Sequence, residues 1–215
     1  MQFYADNAGL FWDAFLTTLG MSVLAGLLAI VLGTLLAAFR VSPILPLRGL
    51  ATFYVETFRN TPLTVVFFFI IFGLPQIDFV IGFFAGSVLA VGLYTAAFVC
   101  EAVRSGINSV SPGQAEAARA LGLTFGQSLR QVVLPQAFRT VVPPLGNVLI
   151  AMVKNTSIAA GFSVSELSSL LPRLVNANAG ELVLVLLGVV ACYMVITLPA
   201  ALALNRIERR VAILR

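Results

Sequence analysis

From Ala14 to Phe39 the chain reads AFLTTLGMSVLAGLLAIVLGTLLAAF, 26 residues without a charge between Asp13 and Arg40. About 20 apolar residues of helix cross the hydrocarbon core of a bilayer, so this stretch is a membrane span, with tilt to take up its extra length. Working outward, uncharged runs of the same kind recur at Asn60–Ile77, Phe79–Cys100 and Leu182–Asn205, and Asp78 alone separates the first two of these. A less tidy run, Thr140–Val153, is interrupted by Lys154 and resumes at Asn155–Ser165. It reads as one helix carrying a polar break.

The composition agrees. Apolar residues make up 60% of the 215 and charged residues only 10%, with a mean hydropathy of +1.01, against roughly 45–50% and 25% in soluble domains. These values exclude a soluble enzyme, a disordered tail and a nucleic-acid binder. The chain has no histidine, which removes zinc-motif hydrolases and histidine-based triads. Cys100 and Cys192 sit in apolar runs and read as buried thiols. The expected architecture is an all-α integral membrane protein, one domain over residues 1–215, with five transmembrane helices at about 14–39, 57–75, 79–102, 140–163 and 182–205.

Charge sets the expected orientation. Arg40 and Arg48 follow the first span; Arg104, Arg119, Arg130 and Arg139 follow the third; Arg206, Arg209, Arg210 and Arg215 close the chain. The opposite loops hold Arg173 beside Asp78, Glu166 and Glu181. By the positive-inside rule the N-terminus is outside and the C-terminus inside. The start lacks a basic n-region and a cleavage pattern, so the first span is expected to stay rather than be removed.

The cytoplasmic segment at about 104–136 is not a span. Ser111-Pro112-Gly113-Gln114 reads as a helix start with a capping box, Gly122 as a stop, and Thr124-Phe125-Gly126-Gln127 as a second capping box. Ala115, Ala117, Ala118 and Ala120 leave a low-relief surface, and Glu116 and Arg119 are spaced for an ion pair. Two readings stand: a helix that docks into another protein, or one that rests on the headgroups.

Glu116-Ala117-Ala118, then Gly122, then Val132-Val133-Leu134-Pro135 resembles the EAA signature of ATP-binding-cassette importer permeases. Tyr54-Val55-Glu56-Thr57-Phe58-Arg59-Asn60-Thr61-Pro62-Leu63, Pro144-Leu145-Gly146-Asn147 and Val153-Lys154-Asn155-Thr156-Ser157-Ile158 resemble its polar-amino-acid branch. Gly106-Ile107-Asn108 and Gly113-Gln114-Ala115-Glu116 look closest to actinobacterial glutamate-importer permeases. The resemblance implies a type I ABC importer permease fold in a bacterial cell membrane, forming half of a pathway for a polar amino acid. Glutamate is the first choice; aspartate, glutamine and basic amino acids are the alternatives. An ion-gradient-driven secondary transporter is the rival from another class.

The resemblance also implies roles and partners. Glu116, Ala117, Ala118 and Gly122 would contact a cytoplasmic ATPase, with Leu134 and Pro135 ending the second helix. The only lysine, Lys154, lies in no phosphate-binding loop, so ATP and magnesium belong on two partner ATP-binding subunits and the chain itself is not an enzyme. A second permease chain, homologous in preference to identical, and an external amino-acid-binding protein complete the expected assembly. Gly82 and Gly86 form a small-xxx-small pattern that suits helix packing, within the chain or against that partner.

Ionisable groups at membrane depth default to functional candidates. Lys154, with Asn155, Thr156, Ser157 and Asn147, can line a water-filled path; the alternative pairs Lys154 with Glu101 or Glu56 to hold the bundle. Arg59, Thr61 and Glu56 are further pathway candidates; Arg59 and Glu56 lie nearer the cytoplasmic end, where a structural role is favoured for them.

Overall fold

The computed structural model describes residues 2–177 and 179–211. Arg215 therefore lies outside the described residues, as does the side chain of Arg210. A short helix α1 (Gln2–Asp6) leads into α2 (Ala8–Arg40). Then come α3 (Leu45–Asn60), α4 (Leu63–Ile77), α5 (Phe83–Asn108), α6 (Pro112–Ala120), α7 (Phe125–Phe162), α8 (Leu170–Ala177) and α9 (Leu182–Val211). Helices α2, α5, α7 and α9 are each long and apolar enough to cross a membrane; α3 and α4, bent by 107°, supply a fifth candidate if the pair forms one span. No strand occurs among the described residues.

The break between α3 and α4 falls inside the stretch expected as one span at 57–75. Pro62 has no N–H to donate, and it drives the preceding residue out of the helical region. Thr61 accordingly adopts φ −104° and ψ 131°, ending α3 at Asn60. Helix α4 then loosens into a π turn at Phe69–Gly73 and tightens into a 3₁₀ turn at Leu74–Ile77, where Asp78 turns the chain with φ 61°.

Helix α7 is continuous through its polar region but changes pitch there. It is α-helical over Leu134–Asn155 and 3₁₀ over Thr156–Phe162, stopping at Ser163 with φ 63°. The second helix of the cytoplasmic segment therefore does not end at Leu134 and Pro135, as expected from the motif. A π turn at Leu129–Val133 shifts the hydrogen-bond register just ahead of Pro135, so the helix absorbs the missing donor and runs on into the membrane.

The core is built around α5, whose most extensive contact is with α2, followed by α7. Small residues bring the backbones together: Gly33 of α2 faces Val99 and the Ala96 carbonyl of α5, and Gly92 of α5 faces Leu28. Gly86 packs on Ile71 of the same chain, whereas Gly82 precedes α5 in extended backbone and faces open space, so the expected small-xxx-small pair is split. Cys100 is buried as expected, but Cys192 is only partly so.

Candidate coupling surface and translocation pathway

Helix α6 ends in a Schellman motif. The Leu123 N–H reaches the Ala118 carbonyl at 3.2 Å and the Gly122 N–H reaches the Arg119 carbonyl at 2.9 Å, with Gly122 at φ +86°. This is the left-handed position that glycine fills without strain. Helix α7 opens on the expected capping box: the Gln127 N–H donates to Thr124 Oγ1 at 3.3 Å, and the Thr124 N–H to Gln127 Oε1 at 2.9 Å. The capping box expected at Ser111 does not form. The Gln114 N–H donates instead to the Ser111 carbonyl at 2.9 Å, so the hydroxyl has no orphan donor left at that position to serve.

The alanine surface is divided. Ala118 is buried against the start of α7 and Ala115 is half-buried, its carbonyl accepting from Ser128 Oγ at 3.5 Å. Glu116, Ala117 and Ala120 face outward. The expected Glu116–Arg119 ion pair is absent from the described residues. At the tip of the turn stand two apolar side chains that motif reading passed over, Leu121 at 85% exposure and Phe125 at 75%. Leu134 and Pro135 are also exposed, roughly two and a half turns up α7 from Phe125.

Farther along α7, Pro144, Asn147, Ala151 and Lys154 are all exposed. At 100° per residue they fall within an arc of roughly 80°, forming one stripe. Lys154 makes no ion pair among the described residues, with Glu101 or Glu56 or any other carboxylate. Glu101 of α5 is bonded by Arg40 of α2 and, at 2.7 Å, by Arg104, with Arg59 of α3 at 3.9 Å. Glu56 accepts from Asn60 Nδ2 at 3.3 Å. One carboxylate thus gathers three guanidinium groups and ties α2, α3 and α5 at one end of the bundle.

Asn155, half-buried, lines a cavity of about 200 Å³ with Tyr94, Thr95, Phe98, Val148 and Ala151. The Arg59 guanidinium lies over the Phe98 ring, 5.9 Å from its centre. Asn147, Lys154 and Asn155 therefore share one side of α7, with Arg59 across the Phe98 ring. Thr156 is turned away: it is fully buried and donates to the Val153 carbonyl at 2.7 Å. Ser157 is half-buried. Thr61 bonds back to the Thr57 carbonyl at 2.7 Å and borders a separate apolar cavity with Phe69 and Leu89.

A second polar centre gave no sign in the sequence. Glu166, expected in one of the outer loops, is fully buried. Its carboxylate accepts from the Ser168 N–H at 2.7 Å and the Tyr193 hydroxyl at 2.7 Å. Thr18 Oγ1 of α2 lies 3.4 Å away and itself accepts from the Leu167 N–H at 3.1 Å. With no ion-pair partner for it among the described residues, burial pushes this carboxyl above its ordinary value, an effect its hydrogen bonds only partly offset.

Apolar spans, a helix pair closed by a Schellman turn beneath them and a polar stripe along one span define a membrane permease subunit. The chain belongs to the family described as the binding-protein-dependent transport system inner membrane component, which matches residues 12–213. It is 41% identical to the glutamate transport system permease protein GluC of Corynebacterium glutamicum, over 98% of this chain and 97% of that one. It is 39% identical to the probable glutamine ABC transporter permease protein GlnM of Bacillus subtilis, over 95% and 94%. The glutamate/aspartate import permease protein GltJ of Escherichia coli is 35% identical over 94% and 87%. Among solved structures, an amino acid ABC transporter crystallised with histidines superposes with a TM-score of 0.88 at 32% identity, covering 96% of each chain. The inward-facing MetNI methionine ABC transporter shares the fold, with a TM-score of 0.78 at 21% identity over 97% of this chain and 99% of that one. The protein is thus a multi-pass membrane permease subunit with the type I importer fold, and not itself an ATPase.

Proposed function

We propose that this chain forms half of the translocation pathway of an ATP-driven importer of glutamate. The observation that carries the substrate is the 41% identity to a glutamate permease along nearly all of both chains. In this reading the five spans run with the N-terminus outside, at about 14–39, 57–75, 79–102, 140–163 and 182–205, the second of them bent at Pro62. Two ATP-binding subunits sit beneath, a second permease chain stands alongside, and an external binding protein delivers the amino acid.

The coupling contact is assigned to Glu116, Ala117 and Gly122, with Leu121 and Phe125 inserting as the apolar tip; Ala118 supports it from below, and Leu134 and Pro135 flank it. When the ATPase dimer closes, α6 moves with it, and α7, joined through the Gly122 turn, carries the motion into the membrane. The pathway is assigned to the α7 stripe. Lys154, the stripe's cation and unpaired among the described residues, meets a substrate carboxylate, and Asn147 and Asn155 supply polar contacts in a water-filled passage. Arg59 stands by at the cytoplasmic end.

The test is uptake by vesicles holding the complete complex, with ATP enclosed and binding protein outside. Glutamate uptake should collapse without ATP and survive a protonophore, and unlabelled glutamate should compete better than aspartate, glutamine or arginine. Lys154→Ala should lower uptake more than it lowers the amount of assembled complex. Uptake that follows an ion gradient and ignores ATP would assign the chain to secondary transport instead.

A further inference from the structure

A groove of about 440 Å³ runs between α2, α7 and α9, bordered among others by Gly26, Leu27 and Ile30, by Gly146, and by Leu204 and Ile207. Its only hydroxyls, on Ser22 and Thr197, are spent on their own helices, donating to the Thr18 and Tyr193 carbonyls at 2.7 and 2.9 Å. Neither hydroxyl has a proton left to donate to a polar ligand. The groove also lies on the far side of α7 from the Asn147–Lys154 stripe, roughly 150° round at 100° per residue, so the pathway assigned above leaves this face to the bilayer.

One end of the groove is basic. Gly146 packs against Leu204, which sets the two helices level. At 1.5 Å per residue, Arg206 of α9 lies roughly 3 Å beyond that level and Arg139 of α7 roughly 10 Å beyond it, toward the same end. At 100° per residue Arg139 falls within the arc of α7 that lines the groove and Arg206 about 60° beyond the edge of the α9 arc, whereas Arg209 lies on the opposite face of α9. Arg139 and Arg206 are both exposed and neither has an ion-pair partner among the described residues. Glu208 is the one acidic residue described on α9.

We propose that the groove is a binding site for an anionic phospholipid, with an acyl chain along α2, α7 and α9 and the phosphate on Arg139 and Arg206. Basic groups at the end of an apolar cleft between spans are the arrangement that selects anionic headgroups over zwitterionic ones. The site depends on the membrane placement of the chain and not on which amino acid it carries.

The experiment uses the assembled transporter in nanodiscs of phosphatidylcholine with a photoactivatable-acyl phosphatidylglycerol. Adducts should map to Leu27, Ile30 and Leu204, and unlabelled phosphatidylglycerol should compete while phosphatidylcholine does not. Each of Arg139→Gln and Arg206→Gln should weaken that preference by about fivefold while Arg209→Gln, on the far face of α9, should not, and Ala200→Phe, which fills the groove from an exposed position, should remove the adduct from a complex that still assembles. Equal labelling by both lipids, unmoved by the arginine variants, would reduce the groove to ordinary annular contact. Chain-to-chain crosslinks from a reagent placed at Ala200 would make it the face of the second permease. Either result overturns the proposal.

Discussion

The Tyr193 hydroxyl of α9 lies 2.7 Å from Oε2 of Glu166 and donates to it, at a point where the carboxylate has no exposure to solvent. Ser168 Oγ, at 3.2 Å, completes the phenol's bonding, and Thr18 Oγ1 closes the ring from α2. The first residues of one span, the middle of the last, and the segment between them are held by a set of polar groups with almost no spare donors. A buried carboxylate is expensive to leave short of a partner, and removing a donor exposes that cost. Tyr193→Phe is therefore expected to destabilise the purified complex by about 1–3 kcal/mol, read as a drop in its thermal unfolding midpoint. An unchanged midpoint would mean that the Ser168 N–H alone satisfies the group.

The same site gives a pH dependence whose sign is fixed. Burial raises the Glu166 carboxyl above its ordinary value, so between that value and the raised one the folded state holds a proton that the unfolded chain has lost. Stability supplied by this group is then present at low pH and lost as pH rises through the raised pKa. Measured from pH 4 to 8, the native chain should lose unfolding midpoint relative to Glu166→Gln as pH rises, because glutamine does not titrate. A constant offset between the two curves sinks the assignment.

That Glu166 escaped sequence reading has a plain cause. Its partners Thr18 and Tyr193 lie 148 and 27 residues away, and a lone glutamate among serines has the local pattern of a loop. The α2, α5 and α9 spans were legible because apolar length is itself the constraint a bilayer imposes. The Gly122 turn and the Thr124–Gln127 box were legible because capping is decided within a few residues. At Pro62 the signal was present but outweighed by the uncharged run around it, so the bend between α3 and α4 was missed. Leu134 and Pro135 misled in the opposite direction: a proline read as a stop was absorbed by a π turn that no local pattern announces. Nor did any local pattern announce that Glu101, a partner expected for Lys154, is bonded by Arg40, 61 residues from it.

The α2–α5 seam is open to a direct test at Gly33. A Cβ there would sit 2.6 Å from Val99 Cβ and 2.7 Å from the Ala96 carbonyl oxygen. Neither is the free end of a flexible side chain, so one helix must shift. Gly33→Ala is expected to destabilise the complex by about 1–3 kcal/mol, the usual range for overpacking, despite alanine's better helix propensity. Gly9→Ala, on the same helix with nothing within 4 Å, should instead be neutral or gain up to about 1 kcal/mol. Equal midpoints for the two variants would show that α2 and α5 do not pack this closely.

Gly122 separates a structural role from a coupling role most cleanly. Its φ of +86° lies where a side chain strains the backbone, yet an added Cβ meets nothing within 4 Å. Any effect of substitution therefore comes from the turn's conformation and not from collision. Forcing an ordinary residue into that region costs about 1–2 kcal/mol, enough to change a two-state balance by about five- to thirtyfold, and the cheapest relief is to reorient α6 against α7. Gly122→Asp should thus lower ATP-driven uptake by about that factor while leaving membrane insertion intact. Gly122→Asn, which tolerates the left-handed region better, should retain more of it. Glu116→Lys reverses an exposed charge on α6 without touching the turn, and should separate ATP hydrolysis from uptake in the same direction. Uptake and hydrolysis measured together on reconstituted vesicles decide the matter. Wild-type rates in both Gly122→Asp and Glu116→Lys would remove this segment from the coupling path.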